Sequence, residues 1–344
     1  MQGVVMHSPG DLRIEQVAVP QMGPRQIRVR VSAGGICGSD LHYYNHGGFG
    51  TVRVKEPMVL GHEASGVVEA VGSAVEGLSV GMRIAINPSR PCGHCGYCRE
   101  GLQTHCLNMY YHGSAMRFPH AQGLFRQSLV VDAAQAYPIP DTVSLEQAAM
   151  AEPLAVALHA VRIAGALVGR RVLVTGSGPI GALVVAAARL GGAMEVVATD
   201  IADFPLGIAE RLGASRIINI VKTPDGLDGY SADKGSFDVA FEASGNEKAL
   251  AGALAAVRPR GRVVQLGLGG DMAVPMGLVV SKELQLLGTF RFDVEFGQAI
   301  AYLANGQIDI SPLTTASMPF QRATEAFELA NDRSRAMKIQ LTFG

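Results

Sequence analysis

A chain of 344 residues is long enough for two ordinary domains, each with its own core. Hydrophobic content of 48% and charged content of 17% exclude a disordered chain. Lys+Arg 29 against Asp+Glu 30 leaves a net charge of −1 and no basic run, which excludes nucleic acid and anionic membranes as partners.

The N-terminus, Met1–Asp11, lacks the basic and apolar regions of a signal peptide. Arg189 and Glu195 interrupt the apolar stretch Gly181–Thr199, making it a poor membrane span. A cytoplasmic protein with reduced thiols is the expectation.

Up to about residue 145, short β-type runs alternate with Gly and Pro: Ile27–Val31, Gly66–Val71 and Arg83–Ile86. Between the first two lie Gly34-Gly-Ile-Cys37-Gly-Ser39-Asp40-Leu-His42 and Gly61-His62-Glu63. Next comes Cys92-Gly-His-Cys95-Gly-Tyr-Cys98, with Cys106 seven residues on. Such spacing closes a tetrahedral S₄ cage around Zn²⁺, and Gly93 and Gly96 ease the tight turns. A closed cage has no open position, so the metal there is structural. A disulfide framework is the competing reading, which a large chain without a secretory segment disfavours.

From Leu145 to about Gly165 the pattern becomes helical and Ala-rich, with Glu152 before Pro153. Strands then alternate with helices: Arg171–Thr175, a helix from Pro179 to Leu190, Glu195–Thr199, Arg216–Ile220, Phe237–Phe241, Arg262–Leu266 and Leu284–Leu287. Near-continuous apolar strands separated by helices predict a parallel sheet covered on both faces, and six of them match a doubly wound α/β dinucleotide fold. The last fifty or so residues hold a helix around Glu295–Asn305 and are expected to return to the first domain.

Gly176-Ser-Gly178-Pro179-Ile180-Gly181 fits G-x-G-x-x-G between a strand and a helix, and Asp200 closes the next strand. Gly176 makes the turn, Gly178 admits the pyrophosphate and Gly181 lets helix and strand approach. The helix N-terminus offers N–H groups to the phosphates, and Asp200 accepts from the adenosine ribose. No Arg or Lys follows Asp200 closely, and Asp203 adds a second negative charge, so NAD is favoured over NADP. Cys37, His62, Glu63 and Glu152 supply a thiolate, an imidazole and carboxylates, enough for an open zinc site. Spacing alone leaves open whether they meet.

Taken in order, these motifs resemble those of the zinc-dependent medium-chain alcohol and polyol dehydrogenases, essentially end to end. The chain is most similar to the sorbitol dehydrogenase branch, and there to members acting on L-idonate, through Cys37–Tyr44, Ile86-Asn-Pro-Ser89, Gly113–Met116, Phe118-Pro-His120 and Gly288–Phe292. The resemblance implies a Rossmann sheet (146–287) and a discontinuous β-rich GroES-like catalytic domain (1–145 and 288–344) with its structural zinc lobe at about 88–110.

It implies, further, a catalytic zinc on Cys37 and His62 completed by carboxylate. Glu152 is expected to face the metal, directly or through water, with Glu63 behind. Asp40 orients the histidine, Ser39 takes the substrate proton and His42 ends the relay. Leu266 and Phe290 line the NAD site, Arg291 is on the substrate side, and Tyr43 and Phe118 are candidates to frame the cleft. The implied protein is a homo-oligomer, a tetramer, acting on a sugar acid or polyol. The implied reaction is NAD-linked oxidation of L-idonate to 5-keto-gluconate, with sorbitol- or xylitol-type oxidation as the alternative. An inert binding module on the same fold is the competing class.

Overall fold

The computed structural model describes residues 1–344. The first half contributes β1 (Gln26–Gly35), α1 (Gly38–His46), β2 (Glu63–Val71), β3 (Arg83–Ile86), β4 (Ser128–Asp132) and β5 (Ala136–Pro138). Helix α2 (Ala151–Ala164) leads into β6 (Arg171–Thr175), α3 (Pro179–Leu190), β7 (Glu195–Asp200), β8 (Arg216–Asn219), β9 (Phe237–Glu242), β10 (Val257–Gln265) and β11 (Gln285–Gly288). The chain ends with α4 (Glu295–Ala304), β12 (Thr314–Pro319) and β13 (Lys338–Thr342).

Strand β1 shows how the β-rich half is built. Ile27, Val29 and Val31 are fully buried while Arg28 and Arg30 point outward, the period of two that lets a sheet carry a core on one face. The strand pairs antiparallel with β2, β4 and β13 along its length. A seven-stranded sheet results, in the order β5-β3-β2-β1-β13-β12 with β4 also on β1. Its core includes Phe125, Phe320 and Phe327, each at most 1% exposed.

The second sheet is parallel throughout, in the order β8-β7-β6-β9-β10-β11. This is the doubly wound Rossmann arrangement. Val172, Leu173 and Val174 are all fully buried because helices cover both faces. Strand order reverses between β6 and β9, opening a crevice beyond the carboxyl ends of the strands. The loops that carry Gly176 and Ser244 meet in that crevice.

The chain's end divides between the two sheets. Helix α4 packs its Phe296, Ala299 and Ile300 into the same core as α2 and α3, beside the parallel sheet. Only β12 and β13 join the β-rich sheet, where Gln340 stands opposite Gly35 and Leu341 opposite Gly34. Shape decides this: α4 presents one apolar face, and α2 presents the complementary one.

Candidate active site and metal centres

Cys37 caps the N-terminus of α1 in an extended conformation, immediately after β1 ends at Gly35. Asp40, fully buried, turns back on that start: one carboxylate oxygen accepts from the Cys37 N–H at 3.0 Å. Its other oxygen accepts from the Gly61 N–H at 3.1 Å and stands 3.7 Å from His62 Nδ1. Asp40 thereby ties the two ligand-bearing segments together and turns the imidazole. Burial alone lowers the His62 pKa, but the charges of Asp40, Cys37 and Glu152 outweigh it and the net direction is up.

The ligand atoms of Cys37, His62 and Glu63 lie within 4.8 Å of one another. A thiolate, an imidazole and a carboxylate with one open position are a donor set that suits Zn²⁺. The structure gathers Glu63, and not Glu152, into this group. Glu152, in the first turn of α2, instead accepts from Tyr111 Oη at 2.5 Å, and burial raises its pKa. Glu63 follows His62 at the start of β2 and is bound through both oxygens by Lys338, at 2.7 and 2.8 Å.

Four sulfurs form the second group: Cys92, Cys95, Cys98 and Cys106 also lie within 4.8 Å of one another, and none is in a disulfide. Gly93 takes the left-handed conformation that the turn needs, φ 77°. Cys106 Sγ accepts from the N–H groups of Cys92 at 3.1 Å and Asn108 at 3.3 Å. The backbone N–H of His94 leads in lowering the Cys92 thiol to about 6, whereas burial pushes Cys98 up to about 12. A divalent cation at the centre of the four sulfurs fits this donor set and offsets their mutual repulsion.

Ser39 and His42 stand three residues apart, on one face of α1. His42 is exposed, its ring 6.0 Å from that of Phe49. Burial of its inner edge, with the nearby charges of His46 and Arg333, lowers its pKa and favours the neutral imidazole. Tyr43, 2% exposed, is a packing residue whose hydroxyl accepts from the Ala115 N–H at 3.1 Å. Phe118 is 63% exposed and packs edge-on against His120.

Arg291 follows β11 in a left-handed conformation, φ 54°, unusual for a side chain of this size. Its guanidinium carbon lies 3.8 Å above the Tyr111 ring and 4.8 Å from the Phe290 ring. Nη2 donates to the Met116 thioether at 3.3 Å. No Asp or Glu oxygen lies within 4.0 Å of its nitrogens. Phe290 is 37% exposed, stacks on His105 and, with Arg291, Thr104 and Met109, lines a cavity of about 390 Å³ beside the four-cysteine lobe.

At the crevice, a Cβ on Gly181 would stand 1.8 Å from the Gly176 carbonyl oxygen, and one on Gly176 2.7 Å from Ser244. Protein packing therefore demands both glycines. At Gly178 nothing lies within 4 Å of such a Cβ, so the bare backbone before Pro179 and Ile180 opens onto free space that a pyrophosphate fits. Asp200 accepts from the N–H groups of Ser177 at 2.7 Å, Ile201 at 2.7 Å and Ala202 at 3.0 Å. Leu266, just past β10, is partly buried against the same core. Fully buried Glu242, at the end of β9, binds the N–H groups of Ser244 and Gly245 and the Gln265 amide.

Sequence reasoning passed over four of these residues. Tyr111 and Glu242 carry no local signal, and Lys338 is betrayed only by a charge in the strand-like alternation Met337–Leu341. Lys222 is the fourth: it follows β8, which lies beside β7, and its ammonium stands 2.5 Å from Asp203. A cation thus does approach the adenosine end, tied to the second aspartate.

Two families match the chain: "Alcohol dehydrogenase GroES-like domain" over residues 23–141 and "Zinc-binding dehydrogenase" over residues 179–305. L-idonate 5-dehydrogenase (NAD(P)(+)) of Escherichia coli is 45% identical over 92% of this chain and 91% of its own. The chain belongs to the zinc-binding medium-chain dehydrogenases. Human sorbitol dehydrogenase is 37% identical over 98% of this chain and 94% of its own. The crystal structure of the E. coli L-idonate 5-dehydrogenase superposes with a TM-score of 0.96 at 42% identity, covering 99% of this chain and 98% of that one. As a zinc-binding dehydrogenase the chain is an NAD(P)-linked oxidoreductase acting on the alcohol groups of a small molecule. No helix is long and apolar enough to cross a membrane.

Proposed function

We propose that this dehydrogenase oxidises a secondary hydroxyl of a sugar acid, L-idonate at C5 to 5-keto-gluconate, with NAD in the cytoplasm. Arg291 carries the reading: a half-buried guanidinium held flat on Tyr111, with a thioether as its acceptor and no carboxylate beside it. Such a cation calls for an anionic partner, and a sugar-acid carboxylate matches its planar fork. The identity of 45% to the E. coli L-idonate 5-dehydrogenase supports the same choice.

In this reading Cys37, His62 and Glu63 hold the catalytic zinc, Asp40 orients His62, and Glu152 stands by on Tyr111. The four-cysteine lobe holds the structural zinc. When bound, Zn²⁺ supplies Lewis-acid charge that lowers the pKa of a hydroxyl beside it, and the nicotinamide supplies the hydride acceptor. Ser39 Oγ takes the substrate hydroxyl proton, and the neutral His42 imidazole passes it to solvent. Gly176, Gly178 and Gly181 with the N-terminus of α3 receive the pyrophosphate, and Asp200 the adenosine ribose.

We infer a homo-oligomer, a tetramer. The outermost strand β11 leaves Leu286 40% exposed, and Met276 and Val280, in the segment leading to that strand, are 55% and 73% exposed. An unpaired apolar strand edge of this kind favours pairing with another chain.

The test is a panel of L-idonate, sorbitol and xylitol with NAD, read by NADH absorbance. A charge-assisted bond contributes roughly 1.5–3 kcal/mol against about 0.5–1.5 kcal/mol for a neutral one. Idonate should therefore exceed sorbitol about tenfold in kcat/KM, and Arg291→Ala should shrink that gap while leaving NAD binding intact. Sorbitol or xylitol as the better substrate would replace this reading with a neutral-polyol one. Equal loss of all substrates in the variant would remove the charge-selecting role.

A further inference from the structure

Lys338 begins β13, three hundred residues from Cys37, and its side chain is only 2% exposed. Three acceptors take its three N–H groups: Glu63 Oε1 at 2.7 Å, Glu63 Oε2 at 2.8 Å and the Ile36 carbonyl at 3.0 Å. Ile36 immediately precedes Cys37, and Glu63 immediately follows His62. One nitrogen from the far end of the chain therefore touches both segments that carry the candidate ligands.

The surroundings are shaped for this contact. A Cβ on Gly35 would lie 2.0 Å from Glu63 Oε2, so only a glycine admits the carboxylate there. Pairing of Gln340 with Gly35 and of Leu341 with Gly34, and the bond from the Ile36 N–H to the Ile339 carbonyl at 2.9 Å, set β13 in the register that delivers Lys338. Around it, Asp40, Glu63 and Glu152 are at most 5% exposed, and Cys37 adds a thiol. A buried ammonium is costly unless every donor is satisfied, and here every donor is.

We propose that Lys338 is a positioning residue of the catalytic metal centre. It fixes where the Glu63 carboxylate stands and neutralises part of the negative charge gathered around the ion. In this way it governs the geometry and firmness with which Cys37, His62 and Glu63 hold metal. The inference rests on those three residues being the ligands. A purely structural Lys338 would clamp β13 onto the sheet and leave the metal's surroundings unchanged.

Cobalt-substituted holoenzyme separates the two. The wild type should take up two equivalents, and the visible d–d bands of the catalytic ion report its ligand geometry. Lys338→Met should shift those bands and speed removal of that ion by a chelator at least tenfold, leaving the thiolate-rich lobe spectrum unaltered. Lys338→Arg keeps a charge and several donors and should restore most of the wild-type spectrum. Unchanged bands and chelator resistance in Lys338→Met, even with a lower melting temperature, would overturn the proposal.

Should Lys338→Met fail to fold, the double variant Glu63→Gln/Lys338→Met, which buries neither charge, decides. Bands identical to those of Glu63→Gln alone place Lys338's action on Glu63, whereas a further shift refutes it. Uptake of a single equivalent by the wild type would instead strike the ligand assignment itself.

Discussion

The Tyr111 ring carries Arg291 on its face while its hydroxyl donates to Glu152, so one side chain spans the charge-bearing and metal-facing sides of the site. His42 and Asp200 carry more direct predictions. His42 has a pKa below the ordinary 6.5, through burial and then the charges of His46 and Arg333. If His42 ends the proposed relay it must be neutral to accept the proton, so the acid limb of kcat for alcohol oxidation should lie below pH 6.5. His42→Gln should abolish that limb and cost up to about 10²-fold in rate. A limb persisting in the variant belongs to another group. Asp200 is held by three backbone N–H groups, whereas Lys222 already neutralises Asp203. On the proposed preference for NAD, discrimination against a 2′-phosphate falls on Asp200. Its replacement by alanine should raise KM for NAD and narrow the NAD/NADP ratio roughly tenfold, equivalent to about 1.4 kcal/mol. A wild-type preference for NADP would show that the pocket does not work this way.

At the scale of elements, the four-cysteine lobe is more than a remote staple. Thr104 Oγ1 within it donates to the Phe292 carbonyl at 2.9 Å, one residue past Arg291. Loosening the lobe should therefore disturb the guanidinium as well as the fold. Cys98→Ser should lose one equivalent of zinc, melt earlier and raise KM for the acidic substrate, because thiolate ligation couples metal affinity to local folding. Full zinc content with unchanged melting would remove the structural assignment. The strands of the parallel sheet were legible because apolar runs of four to six residues bounded by Gly and helices have few other solutions. Helix α4 was legible as a helix, but not its neighbour. Its apolar face fits α2, and a periodicity names a face without naming what covers it.

Across the whole molecule, acid should unfold this protein through groups that bind protons less readily in the native state than in the unfolded chain. Burial depresses His112 to about 4, while its Nδ1–H donates to the Gln122 carbonyl at 3.0 Å. Between about pH 6.5 and 4 the unfolded chain binds a proton there that the native one does not. The His112 contribution is therefore complete above pH 6.5 and lost as pH falls to about 4, a swing of about 3 kcal/mol. Glu295 has its pKa lowered to about 2: burial raises it, but His159 and backbone N–H groups outweigh burial. Its contribution is present above pH 4.5 and lost toward pH 2. Urea unfolding from pH 7 to 3 should show this slope, and His112→Gln should flatten its part above pH 4. An equal slope in the variant would place the acid sensitivity elsewhere.

The sequence by itself determined the two kinds of sheet, the glycine loop at 176–181 and the thiolate cage. Each depends on residues close in the chain, where spacing dictates geometry. It also marked Cys37, His62, Glu63 and Glu152 as candidate ligands, but the expectation that Glu152 faces the metal with Glu63 behind is the reverse of the grouping the structure makes. Only the tertiary structure turned Glu152 to Tyr111 and brought Lys338 to Glu63 across a separation of 275 residues. It also seated Arg291 on Tyr111 with no carboxylate within 4.0 Å of its nitrogens. Those contacts cross between strands and sheets distant in sequence. Strand register and the packing of whole elements set them, and no local pattern of residues encodes either.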